Sequence, residues 1–396
     1  MLDRETVATV QSTIPAIVAT GPALTKHFYN RMLDQHPELL DVFNTNNQRT
    51  GDQPQALFDS VCAYAANLDN LEALLPAVER IAQKHTSLNI QPEQYAIVGE
   101  NLLASIDELL HPGQEVLDAW GRAYGVLADI FIQREAQIYD ESESITGGWR
   151  GRRAFRIAEK QPQSESIYSF VFEPVDGGPV ADFKPGQYLG VYINDESVQH
   201  QQIRQYSLTT SPNGDRYRIA VRRADRGVVS RYLHEQAQVG DVIELAPPHG
   251  DFFMDIDPAT PVALISAGVG LTPMLSMLNS LDKNKHHADI VWLHGTHNGE
   301  THAFADEVAG IAERMPNLVR HVWYREPTAE DVAGRDYDSP GRMNLDDCPV
   351  ALDNPQMHYY FCGPPGFMQS IDAQLVGMGV EADRIHYEFF GPFKEI

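Results

Sequence analysis

A three-part chain is predicted: an all-α segment, then an antiparallel β-barrel, then an α/β segment on a parallel sheet. Three changes of texture predict it. From the start to about Tyr139, apolar residues recur at helical spacing, interrupted by turn signals at Thr20-Gly21-Pro22, His36-Pro37, Gly51-Asp52-Gln53-Pro54, Gln91-Pro92 and His111-Pro112-Gly113. That spacing predicts six or seven helices. Beyond Gly147-Gly148 the chain turns to short β-branched and aromatic runs: Phe155-Arg156-Ile157, Ile167 to Phe172, Tyr188 to Tyr192 and Tyr217 to Val221. From Pro261 onward, buried-strand runs (Val262 to Ser266, Ile290 to His294, Tyr359 to Cys362) alternate with helical stretches, the pattern of a covered parallel sheet. The Gly147-Gly148 linker and the Asp257-Pro258 turn give expected domains of 1–147, 148–257 and 258–396.

Composition bounds the function. A formal charge of -25 and a pI near 4.9 repel phosphate backbones and anionic membranes, so nucleic acid is not an expected partner, and any anionic cofactor needs local donors. Cys62, Cys348 and Cys362 have neither metal-ligand spacing nor an even count, which suits a reducing compartment. The start lacks a basic segment followed by an apolar one, and no run of eighteen apolar residues occurs. The expectation is a soluble, cytoplasmic monomer without stable membrane insertion.

In the helical segment, His85 lies four, seven, eleven and fourteen positions after Ile81, Val78, Leu74 and Leu71, and so shares the buried stripe of an amphipathic helix. A lone inward histidine is more often a core residue than a ligand. Other polar residues also fall on buried faces. Gln53 stands one turn ahead of Leu57 on the face through Val61, Tyr64 and Leu68, and Glu135 follows Leu127 and Phe131 at intervals of four. A carboxylate there needs a partner. Pro92 opens a helix carrying Tyr95, whose hydroxyl is expected to reach both Glu135 and the His85 ring, as around a metal-bound histidine. Singly, each has a plainer reading: Gln53 as a helix-start polar residue, Glu135 as a frayed end, Tyr95 as a core aromatic.

Taken in order, Phe28-Tyr29, Phe43, Gln53, His85, Tyr95 and Glu135 make this segment resemble the globin domain of flavohemoglobins. The resemblance implies haem b with His85 as the proximal iron ligand, Phe43 stacked on the porphyrin, and Tyr29, Gln53 and Leu57 as the distal pocket. Tyr95 and Glu135 would be the proximal partners. A hydrogen-bonded histidine enriches the iron in electron density and leaves its sixth position for O2 or NO. Whether a lipid or other apolar ligand also enters the pocket stays open. Lys84, beside His85, either tunes the haem side or is a solvated helix-face lysine; the second is favoured.

The β segment carries Arg204-Gln205-Tyr206-Ser207, which resembles the flavin signature of ferredoxin-reductase-like proteins. A guanidinium forks onto pyrophosphate, a tyrosine offers a flat face to the flavin, and a serine can reach a ring nitrogen. Pro185-Gly186-Gln187-Tyr188 resembles a second aromatic wall, and Gly227-Val228-Val229-Ser230 presents amides at a helix start, suited to phosphate. FAD is the implied cofactor.

In the last segment, Gly268-Val269-Gly270-Leu271-Thr272-Pro273 follows a buried strand and opens a helix, so its backbone can approach a pyrophosphate. It lacks the third glycine of the dinucleotide fingerprint, but its Thr-Pro ending resembles flavohemoglobins, many of which carry glutamine where Leu271 stands. That departure is expected to alter a contact near the nicotinamide. Cys362-Gly363-Pro364 resembles the family segment beside the nicotinamide, with a plain buried cysteine as the alternative. Glu388-Phe389-Phe390-Gly391-Pro392 resembles the family's C-terminal segment, in which Phe389 would cover the flavin and Glu388 would lie between flavin and haem. NADH and NADPH both stay open.

Nicotinamide gives two electrons as hydride and haem iron takes them singly, so a flavin between them is the needed transformer. The resemblance implies a nitric oxide dioxygenase: electrons pass from NAD(P)H to FAD to haem, and the ferrous-oxy haem converts NO to nitrate, detoxifying it. Three alternatives stand beside it. They are an NAD(P)H-dependent reductase of O2, peroxides or small acceptors, an O2 or NO sensor, and a helical bundle that binds no haem.

Overall fold

The computed structural model describes residues 2–43 and 51–391. Its helical part contains α1 (Arg4–Ser12), α2 (Ile14–Thr20), α3 (Ala23–Gln35), α4 (Asp52–Ala66), α5 (Leu75–Ser87), α6 (Pro92–Leu110) and α7 (Gln114–Ser144). The expected punctuation sets the ends. Asp3 caps α1 by accepting from the Thr6 amide at 2.8 Å, Gln91 and Gln94 form a capping box around Pro92, and His111 closes α6 in the left-handed region at φ 47°. Leu24, Phe28, Met32, Val61, Tyr64, Leu102, Ile106 and Trp120 make the main apolar cluster, and Val78, Ala82, Tyr95, Phe131 and Ile138 make a smaller one near His85.

One expectation changes. The stripe from Leu71 to His85 is not a single helix, because Leu71–Leu74 is a 3-10 turn and α5 starts after it. Pro76 has no N–H to give the Glu72 carbonyl, so it stands in the first turn of α5 and the α pattern does not extend back through Leu71–Leu74.

The next segment forms β1 (Arg153–Pro162), β2 (Ile167–Pro174), β3 (Tyr188–Ile193), β4 (Gln202–Ser207), β5 (Tyr217–Arg222) and β6 (Val242–Leu245), with α8 (Val228–Glu235) after β5. The sheet order is β4-β3-β6-β1-β2-β5. A bridge between Leu208 and Ile219, with the Thr209 amide giving to the Arg218 carbonyl at 2.9 Å, joins the chain beyond β4 back to β5 and closes the barrel. Strand β6 escaped the sequence reading because a run of four residues is too short to establish a period of two.

The last segment is β7 (Val262–Ala267), α9 (Leu271–Lys283), β8 (Ile290–Thr296), α10 (Ala305–Arg314), β9 (Leu318–Tyr324), β10 (Ser339–Pro340), β11 (His358–Cys362), α11 (Pro365–Gly377) and β12 (Ile385–Glu388). The order is β10-β9-β8-β7-β11-β12, and the pairs are parallel. Strand order reverses between β7 and β11, so their carboxyl ends frame the crevice where such sheets take ligands.

The contacts divide the chain into two compact units. One holds Met1–Ser144, Trp149–Arg152 and Tyr192–Ile203; the other holds Ile145–Gly148, Arg153–Val191 and Arg204–Ile396. Within the second, one apolar cluster runs from Ile167, Ala220, Phe252 and Met254 into Leu264, Leu271, Met274 and Leu275, so packing is continuous across the Asp257-Pro258 turn. Among the described residues no single helix is long and apolar enough to cross a membrane.

Candidate functional site

Three helices converge on His85. It stands in the last turn of α5, Tyr95 in the first turn of α6, and Glu135 on the buried side of α7. His85 Nδ1 lies 2.8 Å from Glu135 Oε1 and 2.9 Å from the Tyr95 hydroxyl, and that hydroxyl donates to the same Glu135 oxygen. Burial first, and the Glu135 carboxylate second, push the Tyr95 phenol well above its ordinary range, so it stays a neutral donor. The carboxylate therefore accepts from both neighbours, which assigns the proton to His85 Nδ1 and the lone pair to Nε2. Among the described residues Nε2 has no hydrogen-bond partner. Glu135 is 5% exposed while His85 is 31% exposed, so the ring is anchored on one side and open on the other.

These residues fit a haem. No group of three His, Cys, Asp or Glu able to hold a metal ion occurs among the described residues, whereas a porphyrin supplies its own four nitrogens and asks the protein for one imidazole. Periodicity pointed to His85, Tyr95 and Glu135 and put Phe131 on the same buried face, but missed its contacts: its ring lies 5.7 Å from His85 and stacks on Tyr95 at 6.2 Å. It also missed Tyr124, which donates to the Tyr95 carbonyl at 2.6 Å. Gly99 permits that approach, since a Cβ there would lie 2.5 Å from the Tyr124 ring.

Tyr29 and Gln53 are also brought together. Tyr29 is buried, with Phe28 and Phe43 at its edges at 5.0 and 5.7 Å, and the Gln53 side chain is a hydrogen-bond partner of its hydroxyl. Burial raises the Tyr29 phenol well above its usual range. Gln53 Oε1 is buried with no partner among the described residues, an unmet acceptor that suits a polar ligand at this spot. Leu57 and Phe43 are half-buried, one on α4 and the other just before the undescribed stretch 44–50. Lys84, expected as a solvated lysine, is half-buried on α5 and has an interaction partner.

In the β segment Arg204, Gln205 and Tyr206 lie half-buried on β4 and Ser207 is buried at its end. Burial lowers the Arg204 guanidinium below its ordinary range, a cost that an anion such as pyrophosphate would offset. Burial also holds Tyr206 as a neutral phenol. Tyr188 opens β3 and exchanges two 2.9 Å backbone bonds with His249, which burial pushes down to about 3. Gly250, at φ 122°, lies under the Tyr188 ring, where a Cβ would come within 2.9 Å of Cε1. Gly227 caps α8; a Cβ there would lie 2.3 Å from Ser230 Oγ, which accepts from the Ala224 amide at 3.2 Å. Aromatic faces, a buried cation and an open helix start fit a flavin dinucleotide.

At the crevice between β7 and β11, Gly268-Val269-Gly270 forms a tight turn with Gly268 at φ 54°. A Cβ on Gly270 would lie 2.2 Å from the Cys362 carbonyl oxygen, and one on Gly363 would lie 2.5 Å from Phe367 Cδ1. The two glycine loops thus interlock backbone to backbone, leaving room for a pyrophosphate. Leu271, Thr272 and Pro273 turn inward: Leu271 joins the core, and the Thr272 hydroxyl donates to the Val269 carbonyl at 3.1 Å. Leu271 opens α9 and is 1% exposed within the apolar core. Cys362 is fully buried, and burial followed by Glu388 raises its thiol well above the ordinary range, leaving it neutral. Pro364 is the exposed cap of α11.

Phe389 packs edge-on against Tyr387 at 5.9 Å beside the α/β core, while Phe390 and Gly391 are exposed. Pro392 lies outside the described residues. Sequence reading also missed a buried polar chain on the neighbouring strand. Ser266 Oγ lies 2.9 Å from His294 Nδ1, the His294 ring stacks on His302 at 5.3 Å, and His302 Nδ1 lies 2.9 Å from the Tyr324 hydroxyl. The only signal for it was a histidine inside an otherwise apolar run.

Comparison with known proteins agrees segment by segment. Residues 26–131 match the Globin family, 154–254 the oxidoreductase FAD-binding domain and 264–373 the oxidoreductase NAD-binding domain. The fold is similar over 98% of this chain and 100% of the other to a flavohemoglobin from Malassezia yamatoensis solved with bound FAD and haem, with a TM-score of 0.87 and 26% identity. The flavohem-like FAD/NAD-binding domain of nitric oxide dioxygenase from Vibrio cholerae is 41% identical, covering 61% of this chain and 99% of that one with a TM-score of 0.56. The cytochrome b5 reductase domain of Ulva prolifera nitrate reductase shares the fold of that part at 22% identity and a TM-score of 0.53, covering 60% of this chain and 97% of that one. Haem, FAD and NAD(P)H are thus its cofactors, and the chain belongs to the flavohemoglobins, oxidoreductases in which NAD(P)H supplies electrons to a haem.

Proposed function

We propose that this flavohemoglobin is a nitric oxide dioxygenase, with His85 as its iron ligand and three working segments, 1–147, 148–257 and 258–396. When bound, NAD(P)H, FAD and haem supply hydride, its division into single electrons, and an iron at which O2 and NO combine to nitrate. The observation that carries the reading is the hydrogen bond from His85 Nδ1 to the buried Glu135 carboxylate at 2.8 Å. That bond gives the imidazole partial imidazolate character and makes Nε2 a stronger donor to the haem iron it would hold. Tyr95 holds the carboxylate in place through its neutral hydroxyl. On the other side, the Tyr29 hydroxyl, kept protonated by burial and oriented by Gln53, would donate a hydrogen bond to an anionic ligand, and Phe43 and Leu57 would exclude water.

In the reductase part, Arg204 and the amides at Gly227 would hold the FAD pyrophosphate, with Tyr188, Tyr206 and Ser207 as the residues that would hold its ring system. The Gly268–Gly270 and Cys362–Pro364 loops would hold the dinucleotide. The relation to a Vibrio cholerae nitric oxide dioxygenase supports the choice of NO as substrate. The test is NADH- and O2-dependent NO consumption, with nitrate counted, by protein loaded with haem and FAD. The expected result is stoichiometric nitrate from the native protein and loss of turnover in His85→Ala. Equal NO consumption by the two proteins refutes the reading.

A further inference from the structure

Helix α9 begins at the glycine turn Gly268–Gly270 and runs beside the chain that leaves the Arg204–Ser207 strand. Three side chains on one face of it, at positions i, i+3 and i+7, reach carbonyls of that chain between Thr209 and Pro212. Ser276 Oγ donates to Thr210 O at 2.8 Å, Asn279 Nδ2 donates to Thr209 O at 3.1 Å, and Lys283 Nζ donates to Pro212 O. Ser276 and Thr209 are fully buried, so the bonds of Ser276 and Asn279 are partly shielded from water, while the Lys283 bond closes the row at the exposed end.

A second layer braces the first. Arg218, on β5, donates to Glu307 Oε1 at 2.8 Å and to Thr209 Oγ1 at 2.8 Å, and Asn279 donates to the same Glu307 oxygen at 2.8 Å. The Arg218 guanidinium lies over the Phe304 ring at 5.2 Å. Phe304 is a buried non-glycine residue at φ 59°, a conformation that persists only where its surroundings impose it. The strain sets an aromatic floor under Arg218 at the start of α10. Shared apolar packing from Ile167 and Ala220 into Met274 and Leu275 continues the same join.

We propose that this seam of Ser276, Asn279, Lys283, Arg218 and Glu307 is a positioning device for hydride transfer. It bolts the helix that starts at the nucleotide loop onto the segment that follows the flavin strand. The nicotinamide donor and the flavin acceptor are thereby held in register without a closing motion. None of the five residues touches the reacting atoms; they act through the two loops they fix. The inference rests on the assignment of FAD to Arg204–Ser207 and of the dinucleotide to Gly268–Gly270. It follows that rate, and not affinity, depends on the seam, since misplacing reacting atoms by about 1 Å costs on the order of a hundredfold in rate.

The experiment is anaerobic stopped-flow reduction of the flavin by NADH in the full, haem- and FAD-loaded chain. It compares the native protein with Asn279→Ala, Glu307→Gln, Ser276→Ala and Ser276→Thr. Expected are roughly tenfold or larger falls in the limiting reduction rate for the first three, with NADH affinity changed by less than about threefold and the nicotinamide–flavin charge-transfer absorbance weakened. Ser276→Thr, which keeps the hydroxyl, retains a rate near the native one. A seam that merely stabilises the fold would lower the amplitude of reducible flavin and leave its rate constant unchanged; that result overturns the proposal. Should Asn279→Ala fail to fold, the Ser276→Ala and Ser276→Thr pair decides alone. Native flavin that NADH does not reduce would instead refute the cofactor assignment itself.

Discussion

The His85 cluster and the Gly268–Gly270 turn prepare a site for a cofactor in opposite ways. The first is made of side chains: three helices bring an imidazole, a phenol and a carboxylate within 2.9 Å of one another from positions 85, 95 and 135. The second is made by the lack of side chains, since Gly270 is pressed against the Cys362 carbonyl, where a Cβ would lie at 2.2 Å. A side-chain site sets the electronic character of what it binds, and a backbone site sets only how close a ligand can come. The iron needs tuning and the pyrophosphate needs room, so each construction matches its task.

The largest expected effect separates the two sites. His85→Ala removes the ligand, so reconstitution with haemin gives a small fraction of the native Soret absorbance, while NADH still reduces the flavin at the native rate. Next comes Gly270→Ala, which drives a methyl group into backbone that cannot rotate away. The expected cost is about 1–3 kcal/mol of stability, read from chemical denaturation, together with loss of NADH-dependent flavin reduction and retention of haem. Glu135→Gln keeps the shape of the proximal cluster but removes the charge, and is expected to raise the haem reduction potential, read by spectroelectrochemistry. Tyr95→Phe leaves the carboxylate in place and should shift the potential less.

Gly268→Ala sharpens the comparison on the backbone side. At φ 54° and with nothing within 4 Å of a new Cβ, it meets strain without collision, so a cost near 1 kcal/mol is expected, smaller than at Gly270. The smallest effect is set by pH. Burial depresses His302 from its ordinary 6.5 to about 4, with the Arg320 charge adding to it. A folded-state value below the unfolded one means that the unfolded chain binds the proton first. The contribution of neutral His302 is thus full above pH 6.5 and fades as pH falls toward about 4. Asp306 and Asp336 oppose that depression only in part. Thermal unfolding followed against pH should show a shallower acid slope in His302→Gln than in the native protein.

The same contrast explains what the sequence made legible. Local patterns carried far: the helix ends at Pro92 and His111, the four-residue interval from Phe131 to Glu135, and the G-x-G turn are read within a few residues. The meeting of His85, Tyr95 and Glu135 could be anticipated because each carried its own helical phase. The Phe131 stack on Tyr95 could not, since an aromatic at a core position gives no hint of which ring it will meet. Motif reading also left open how Leu271 packs, because its place in the loop says nothing of the apolar cluster its side chain joins. The continuous core across Asp257-Pro258 and the seam on α9 join residues far apart in the chain, and no local period encodes that.

The central claim is that His85 binds iron while its other nitrogen is held by a buried carboxylate. Resonance Raman spectroscopy of the ferrous, ligand-free haem reads the iron–histidine stretch directly and tests this most closely. The account predicts a high native frequency that falls clearly in Glu135→Gln and less in Tyr95→Phe. An identical frequency in native protein and Glu135→Gln would contradict it.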